Sequence, residues 1–181
     1  MRRKTECGMR LTTLVLSLVI LGVLTLACGD ELPSKEALDP ETATTLGLNY
    51  DLSNVAIGDE VEVVVLVEDV EHLYGVALDI VYNPAVYKYA SASTANFLSR
   101  DGENNNFAAA LEDGIEGRLV MGISRIGTVE GLAGSGPVMT ARFEVLCNDC
   151  GDGEFKLDKT FLKNPSLVDI PVLSLAGDET K

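Results

Sequence analysis

The stretch YGVALDIVYNP, residues 74–84, carries the pattern on which the fold depends. Apolar or aromatic residues stand at every second position from Tyr74 to Tyr82, and smaller or polar residues occupy most positions between them. Successive side chains of a β-strand point to opposite faces, so this alternation predicts a strand with one buried face. Asn83 and Pro84 are turn residues and are expected to end the strand.

Other segments repeat this period of two. They cover residues 61–67, 119–123 and 139–145, and a closing segment follows near residues 167–173. Pro171 favours an edge position or a bulge for the closing strand, because proline donates no hydrogen bond to a neighbouring strand. No convincing amphipathic helix is visible, and many short strands separated by turn residues predict an all-β sandwich or jelly roll.

The N-terminal residues 1–27 have the layout of a secretory signal. Four basic residues among the first ten precede an uncharged apolar run over residues 11–27. The run ends in LTLAC, residues 24–28, which resembles the bacterial lipobox. That resemblance implies cleavage after Ala27 and a lipid anchor on Cys28, whereas the alternative is an uncleaved anchor helix. We expect an exported, membrane-anchored lipoprotein that faces the periplasm or the cell exterior.

The rest of the chain is expected to form a tether, one domain and a tail. Residues 28–45 combine acids, prolines and small polar residues without an apolar period, which is typical of a flexible tether. The folded domain is expected over residues 46–176, followed by a short tail at residues 177–181. A mature chain of about 150 residues is long enough for one sizeable hydrophobic core.

The charge of the chain excludes one class of partner. The full chain has a net charge of −14. Residues 1–27 hold four of its 14 bases and one of its 28 acids, so the mature chain has a net charge of about −17. Nucleic-acid binding depends on Lys and Arg at phosphates, so this composition excludes it. The acids are dispersed along the sequence, as on ordinary solvated surfaces.

Two cysteines remain in the expected mature domain, Cys147 and Cys150, in the loop sequence CNDCG. A zinc site needs two further ligands, and the single histidine, His72, cannot complete the set. A redox-active CxxC pair should open a helix after a strand, whereas this pair lies among Asn, Asp and Gly. A local disulfide is the interpretation favoured for an oxidising compartment, and a reducing surface would leave two thiols.

The order of these segments resembles the cohesin domains, the receptor half of the cohesin and dockerin pair that assembles polysaccharide-degrading complexes. The resemblance covers about residues 46–175. It rests on a Gly-Asp turn within residues 55–63, on the Tyr-Asn-Pro-Ala-Val end of residues 74–86, and on residues 119–124 and 136–145. Carbohydrate-binding modules of similar jelly-roll shape are the main alternative class.

This resemblance implies a nine-stranded jelly-roll sandwich that is non-catalytic and docks a dockerin-like secreted protein. The binding face would come from the third, fifth, sixth and eighth strands. The outward residues on the third, sixth and eighth strands are then expected to be Gly75, Ala77, Asp79, Gly122, Ser124, Arg125, Thr140 and Arg142. No cofactor is expected on this chain, and calcium would enter through the partner.

The match to the family's type I members is incomplete. Those members often carry Asn and Asp where this chain has Gly75 and Ala77, and an acid where it has Arg125. Polar anchors of that kind fix the register of a bound dockerin through hydrogen bonds. Their absence favours a different dockerin class or another secreted protein as the partner.

The sequence offers little for catalysis or for metal binding. It has no GxSxG motif, no HExxH motif and one histidine. The acids Asp149, Asp152 and Glu154 do not follow the spacing of a calcium-binding loop.

Direct binding of a polysaccharide remains the alternative function. Sugar rings stack on exposed aromatic side chains, and this chain has no tryptophan. Tyr87 and Tyr89 stand two apart and could form a small platform. Their positions in the resemblance favour packing in the core instead.

Overall fold

The structure is a computed structural model that describes residues 43–112, 116–174 and 178–179. All of these residues belong to the unit Ala37–Lys181. The expected signal segment, Cys28 and nearly all of the expected tether lie outside the described residues. Among the residues that are described, no helix has the length and apolar character needed to cross a membrane.

The described residues form two β-sheets. In chain order the strands are β1 Thr45–Tyr50, β2 Glu60–Leu73, β3 Gly75–Val81, β4 Tyr87–Thr94, β5 Asn105–Leu111, β6 Arg118–Arg125, β7 Leu132–Val145, β8 Lys156–Lys163, β9 Leu173–Ser174 and β10 Asp178–Glu179. Sheet A has the order β10-β1-β2-β7-β4, with β9 also beside β1. Sheet B has the order β5-β6-β3-β8. Its pairs are all antiparallel, which fits strands with one apolar face.

The inward faces of the two sheets build the core that the alternation predicts. Residues 61, 63, 65 and 67 of β2, residues 76, 78 and 80 of β3, residues 119, 121 and 123 of β6, and residues 139, 141, 143 and 145 of β7 are all buried. Phe143 lies at the centre of an aromatic cluster, 4.8 Å from the ring of Tyr82 and 4.9 Å from the ring of Phe155. The sandwich class and these inward rows are therefore confirmed, except that Tyr74, the first residue of the predicted row of β3, is only half-buried.

The predicted count of nine strands is wrong for the described residues. They contain eight strands of six or more residues and two strands of two residues each, β9 and β10. The predicted closing strand over residues 167–173 is likewise reduced to β9 and a single bridge between Lys163 and Asp169. A turn at residues 164–168, closed by hydrogen bonds to Asn164, occupies most of that segment.

Two local features bear on the expected boundaries and cysteines. Strand β1 begins at Thr45, one residue before the expected start of the domain, and β10 lies in the expected tail, where it pairs with β1 in parallel. Cys147 and Cys150 are joined by a disulfide bond in the loop that follows β7. The short covalent loop lies beside Val55, whose carbonyl accepts a hydrogen bond from Asn148.

Candidate functional site

The candidate site is the outer face of sheet B, the face turned away from the core. Since Val76, Leu78 and Ile80 point inward, the alternate residues of β3 point outward. The strand registers then set the outward residues of the neighbouring strands beside them. This outer face comprises Gly75, Ala77, Asp79, Asn106, Ala108, Ala110, Arg118, Val120, Gly122, Ser124, Asp158, Phe161 and Lys163.

The central row of this face is apolar and has low relief. It runs across all four strands as Phe161, Ala77, Gly122 and Ala108. Three of these residues are glycine or alanine, so the backbone of β3 and β6 is close to the surface. Phe161 is 52% exposed and projects from β8. A partner that covered this ring would gain roughly 1.5 to 3 kcal/mol from burial of its apolar surface.

A second row follows on one side of the apolar row, with Lys163, Gly75, Ser124 and Asn106 in register. The two rows line a depression of about 580 Å³, which the exposed side chain of Leu167 also borders. Within the two rows, Ser124 and Asn106 carry the uncharged side chains that can form hydrogen bonds. The depression thus combines an apolar floor with a few polar groups at its margin.

A network of ion pairs covers the other side of the face. Asp79 accepts a hydrogen bond from Arg118 at 2.8 Å, and Lys159 lies 3.4 Å from the same carboxylate. Arg118 also binds Asp158 at 2.6 Å and approaches Glu112 at 3.3 Å. Asp79 is only 4% exposed, so its carboxylate is held within the face. Asp79 therefore organises its neighbours and offers little surface to a partner.

The network makes the stability of the domain depend on pH. The hydrogen bond from Arg118, followed by one from the backbone of Lys159, holds the pKa of Asp158 below its ordinary value. The unfolded chain then takes up a proton on this carboxylate at a higher pH than the folded chain does. The stabilisation is therefore complete above the ordinary pKa and is lost as the pH falls below about 4.

We expect Asp158→Asn to reduce the loss of unfolding free energy between about pH 4 and pH 2. Urea unfolding across this pH range measures the effect. In an Arg118→Gln background, which lacks the main cause of the lowered pKa, Asp158→Asn should change the pH profile much less. Equal pH profiles for the wild type and Asp158→Asn would contradict the assignment.

Arg125 does not lie on the outer face, contrary to the prediction. It has the same parity along β6 as the core residues Met121 and Ile123, and its side chain is 1% exposed. Its guanidinium donates to the carbonyl of Leu98 at 2.9 Å and to the carboxylate of Asp101 at 2.6 Å. Arg125 thus ties the segment after β4 to the end of β6.

Thr140 and Arg142 are also placed elsewhere. Both belong to β7, which lies between β2 and β4 in sheet A. Arg142 pairs with Glu62 across that sheet at 2.9 Å. The prediction is wrong because the resemblance assigned residues 136–145 to the eighth strand, whereas they form β7 and the strand that borders β3 is β8, Lys156–Lys163. Five of the eight predicted residues therefore share the outer face of sheet B, namely Gly75, Ala77, Asp79, Gly122 and Ser124.

The sequence reasoning missed Phe161, the one aromatic side chain among the large hydrophobic residues that the described structure exposes. Its strand reads KLDKTFLK, and the alternation fails at Lys159, which has a φ of 45°. The register with β3 shifts at the same point. The sequence did contain one signal for this strand. Phe161 and Lys163 flank the apolar Leu162, and in a strand with Leu162 in the core both would point outward.

The tyrosine pair does not form a sugar platform. Tyr87 is 4% exposed, and its ring lies 4.6 Å from that of Phe155. Tyr89 is half-buried, with its ring 6.1 Å from that of Phe143. The predicted packing of both residues against the core is confirmed.

Comparison with known proteins places this geometry among solved structures. No protein-family model and no curated protein matches the sequence. The second type II cohesin module of the cellulosomal adaptor scaffoldin ScaA of Acetivibrio cellulolyticus superimposes with a TM-score of 0.61 at 16% identity, covering 75% of this chain and 95% of that one. A complex of type II cohesin with X-dockerin from the same organism gives a TM-score of 0.59 at 15% identity, covering 72% and 95%.

A third similar structure comes from outside the cellulosome. The non-cellulosomal cohesin of the hyperthermophilic archaeon Archaeoglobus fulgidus gives a TM-score of 0.55 at 15% identity, covering 74% of this chain and 88% of that one. At such identities the similarity establishes the arrangement of the strands and leaves the ligand open. The described part of this chain has the fold of a cohesin module.

Proposed function

We propose that this chain is a non-catalytic docking module that captures a dockerin-like secreted protein on the outer face of sheet B. The observation that carries the proposal is the row Phe161, Ala77, Gly122 and Ala108, an apolar strip with one projecting aromatic ring. Buried aromatic anchors surrounded by small residues are typical of the energetic centre of protein interfaces. The similarity to cohesin modules, some of them solved in complexes with dockerins, supports the same assignment.

The charges of the face favour a protein partner. Its cations are paired with anions, as in Arg118 with Asp79 and Lys163 with Asp169, so the face is close to neutral. The chain as a whole has a net charge of −14. A partner that binds to a neutral apolar strip does not bury an unpaired charge of this acidic protein, so the binding carries no large desolvation cost. The surrounding acids steer a complementary partner and repel acidic competitors.

The small residues of the face determine the chemical character of the partner surface that fits it. Gly75 and Ala77 offer no side-chain hydrogen bonds, so recognition rests on apolar contact, with Ser124 and Asn106 at the margin. A rigid sheet loses little conformational entropy on binding, which favours such contacts. The partner surface is therefore apolar at its centre and accepts the ring of Phe161.

The proposed position of the module rests on its N-terminal sequence. A lipid on Cys28 would anchor the exported chain, and residues 28–45 would hold the domain away from the membrane. If the partner is a polysaccharide-degrading enzyme, this arrangement retains the enzyme at the cell envelope. Polysaccharide is then contacted through the partner.

The test is a pull-down from the secreted fraction of the source organism, with the chain from Gly29 onward as bait. This bait retains every described residue. Capture of a dockerin-bearing protein with calcium, but not with excess chelator, supports the proposal. Capture of only unrelated proteins in both conditions overturns the dockerin assignment. Retention of the bait on insoluble polysaccharide without any captured protein indicates direct carbohydrate binding instead.

The anchor has a separate test. Expression of the full chain in the source organism with a labelled fatty acid should place the label on the protein and the protein in the membrane fraction. Cys28→Ser should lose the label and release the chain from the membrane. A wild-type chain without the label would overturn the lipoprotein assignment and leave the docking assignment untouched.

A further inference from the structure

Among the residues that the structure describes, strand β5 is a sheet edge that pairs with β6 alone. It pairs with β6 over seven residues, Asn105–Leu111, without a register shift. The sequence of the strand, NNFAAAL, contains no charge and no proline. Natural proteins usually protect an edge strand with lysine, proline, a bulge or a covering segment, because its free backbone groups otherwise pair with another strand.

The other edges in the described part of the chain carry such protection. On β8, the backbone N–H of Ile170 donates to the carbonyl of Leu162, and the strand has an irregularity at Lys159. Strand β4 carries Lys88 and a register shift between Tyr89 and Ser91. The edge beside β1 consists of β9 and β10, which are only two residues long each. Strand β5 differs from all of them.

The hydrogen bonds around β5 show which of its backbone groups face outward. The N–H of Glu112 donates to Arg118, and the N–H of Ile126 donates to Asn104. In an antiparallel ladder the hydrogen-bonded pairs alternate, so residues 104, 106, 108, 110 and 112 bond to β6. The N–H and C=O groups of Asn105, Phe107, Ala109 and Leu111 therefore point to the open edge.

We propose that β5 pairs antiparallel with β5 of a second copy of this chain, about a two-fold axis at Ala108. This register sets Asn105 opposite Leu111 and Phe107 opposite Ala109. All four residues with outward backbone groups then meet one another, which a shift of one residue would prevent. The contact is isologous, as closed dimers require.

The charge of the chain favours β5 over its other surfaces as the place where two copies meet. A symmetric contact between copies of a chain with a net charge of −14 generally opposes acid to acid. Strand β5 opposes only uncharged side chains, and Glu103 and Glu112 lie beyond its two ends. Pairing of one edge buries little surface area, so the dimer is expected to be weak. Salt screens the repulsion between the acids at the two ends of the paired strands.

The dimer would give the protein two docking faces in one continuous sheet. A two-fold axis perpendicular to the sheet keeps both outer faces on the same side. Two sites held at a fixed separation capture a multivalent partner with a higher effective concentration than separate copies do. This inference does not rest on the identity of the partner.

The test is sedimentation equilibrium of the chain from Gly29 onward over a wide concentration range, at low and at high salt. A monomer and dimer equilibrium is expected, and higher salt should favour the dimer. Ala108→Lys places two lysines opposite each other across the axis and should raise the dissociation constant at least about tenfold. Ala108→Asp should do the same. An equimolar mixture of the two variants should restore association, because the opposed charges then attract.

The control is Ser93→Lys on the protected edge strand β4, which should leave the dimer unchanged. Circular dichroism of each variant establishes that it is folded, and recovery in the mixture shows that neither substitution acts by unfolding. A chain that is monomeric in every condition overturns the proposal. So does a dimer that Ala108→Lys leaves intact.

Discussion

Phe143→Ala is expected to lower the free energy of unfolding by about 3 to 5 kcal/mol. The ring is fully buried and touches the rings of Tyr82 and Phe155, so its removal leaves a cavity that rigid neighbours on both sheets cannot fill. A domain of this size has a total stability of roughly 5 to 15 kcal/mol, so the variant loses a large share of it. Urea unfolding followed by circular dichroism measures the change.

Phe161→Ala is the matched control for that measurement. It deletes the same ring from a strand of the opposite sheet, but at a site that is 52% exposed. Its free energy of unfolding should stay within about 0.5 kcal/mol of the wild type. A large loss at Phe161, or a negligible one at Phe143, would contradict the division between core and docking face.

Ala77→Glu is expected to weaken partner binding at least about a hundredfold. Ala77 lies between Phe161 and Gly122 in the apolar row, so a partner that covers the row would bury the new carboxylate without a cation beside it. The side chain is exposed in the free chain, so the fold should tolerate the substitution. Isothermal titration with the protein recovered in the pull-down measures the affinity.

Thr140→Glu is the control for this second prediction. It adds the same charge on sheet A, at a residue that the sequence alone had placed on the docking face. Its affinity for the partner should equal that of the wild type. Loss of binding with Thr140→Glu and not with Ala77→Glu would move the docking site to sheet A.

The parts of the fold that the sequence predicts correctly are those where the alternation is unbroken. In β3 and in the second half of β7, each apolar residue of the pattern is buried. A shift of one residue would turn every such side chain toward water, so the pattern fixes which face is inside. The resemblance to cohesins implied Gly75, Ala77, Gly122 and Ser124 as outward residues, and the alternation along β3 and β6 agrees with that placement.

The errors lie where a local irregularity or a long-range pairing intervenes. The irregular backbone at Lys159 hides β8 from a search for alternation, and Phe161 was missed with it. Arg125 looks like an ordinary exposed cation in the sequence, because its partners Leu98 and Asp101 lie more than twenty residues away along the chain. The parity of Arg125 along β6 does match that of the core residues, but no periodic signal identifies its partners or the course of β8.

Composition and period were therefore enough to predict a β-sandwich and its inward rows, as the structure has them. The export signal and the exclusion of nucleic acid stay predictions of the sequence. These features depend on the local alternation of apolar residues or on the composition of the whole chain. Which strands are neighbours depends on hydrogen bonds between segments far apart in sequence. Only the tertiary structure put Phe161 beside Ala77, set Thr140 on the opposite sheet and left β5 paired on one side only among the described strands.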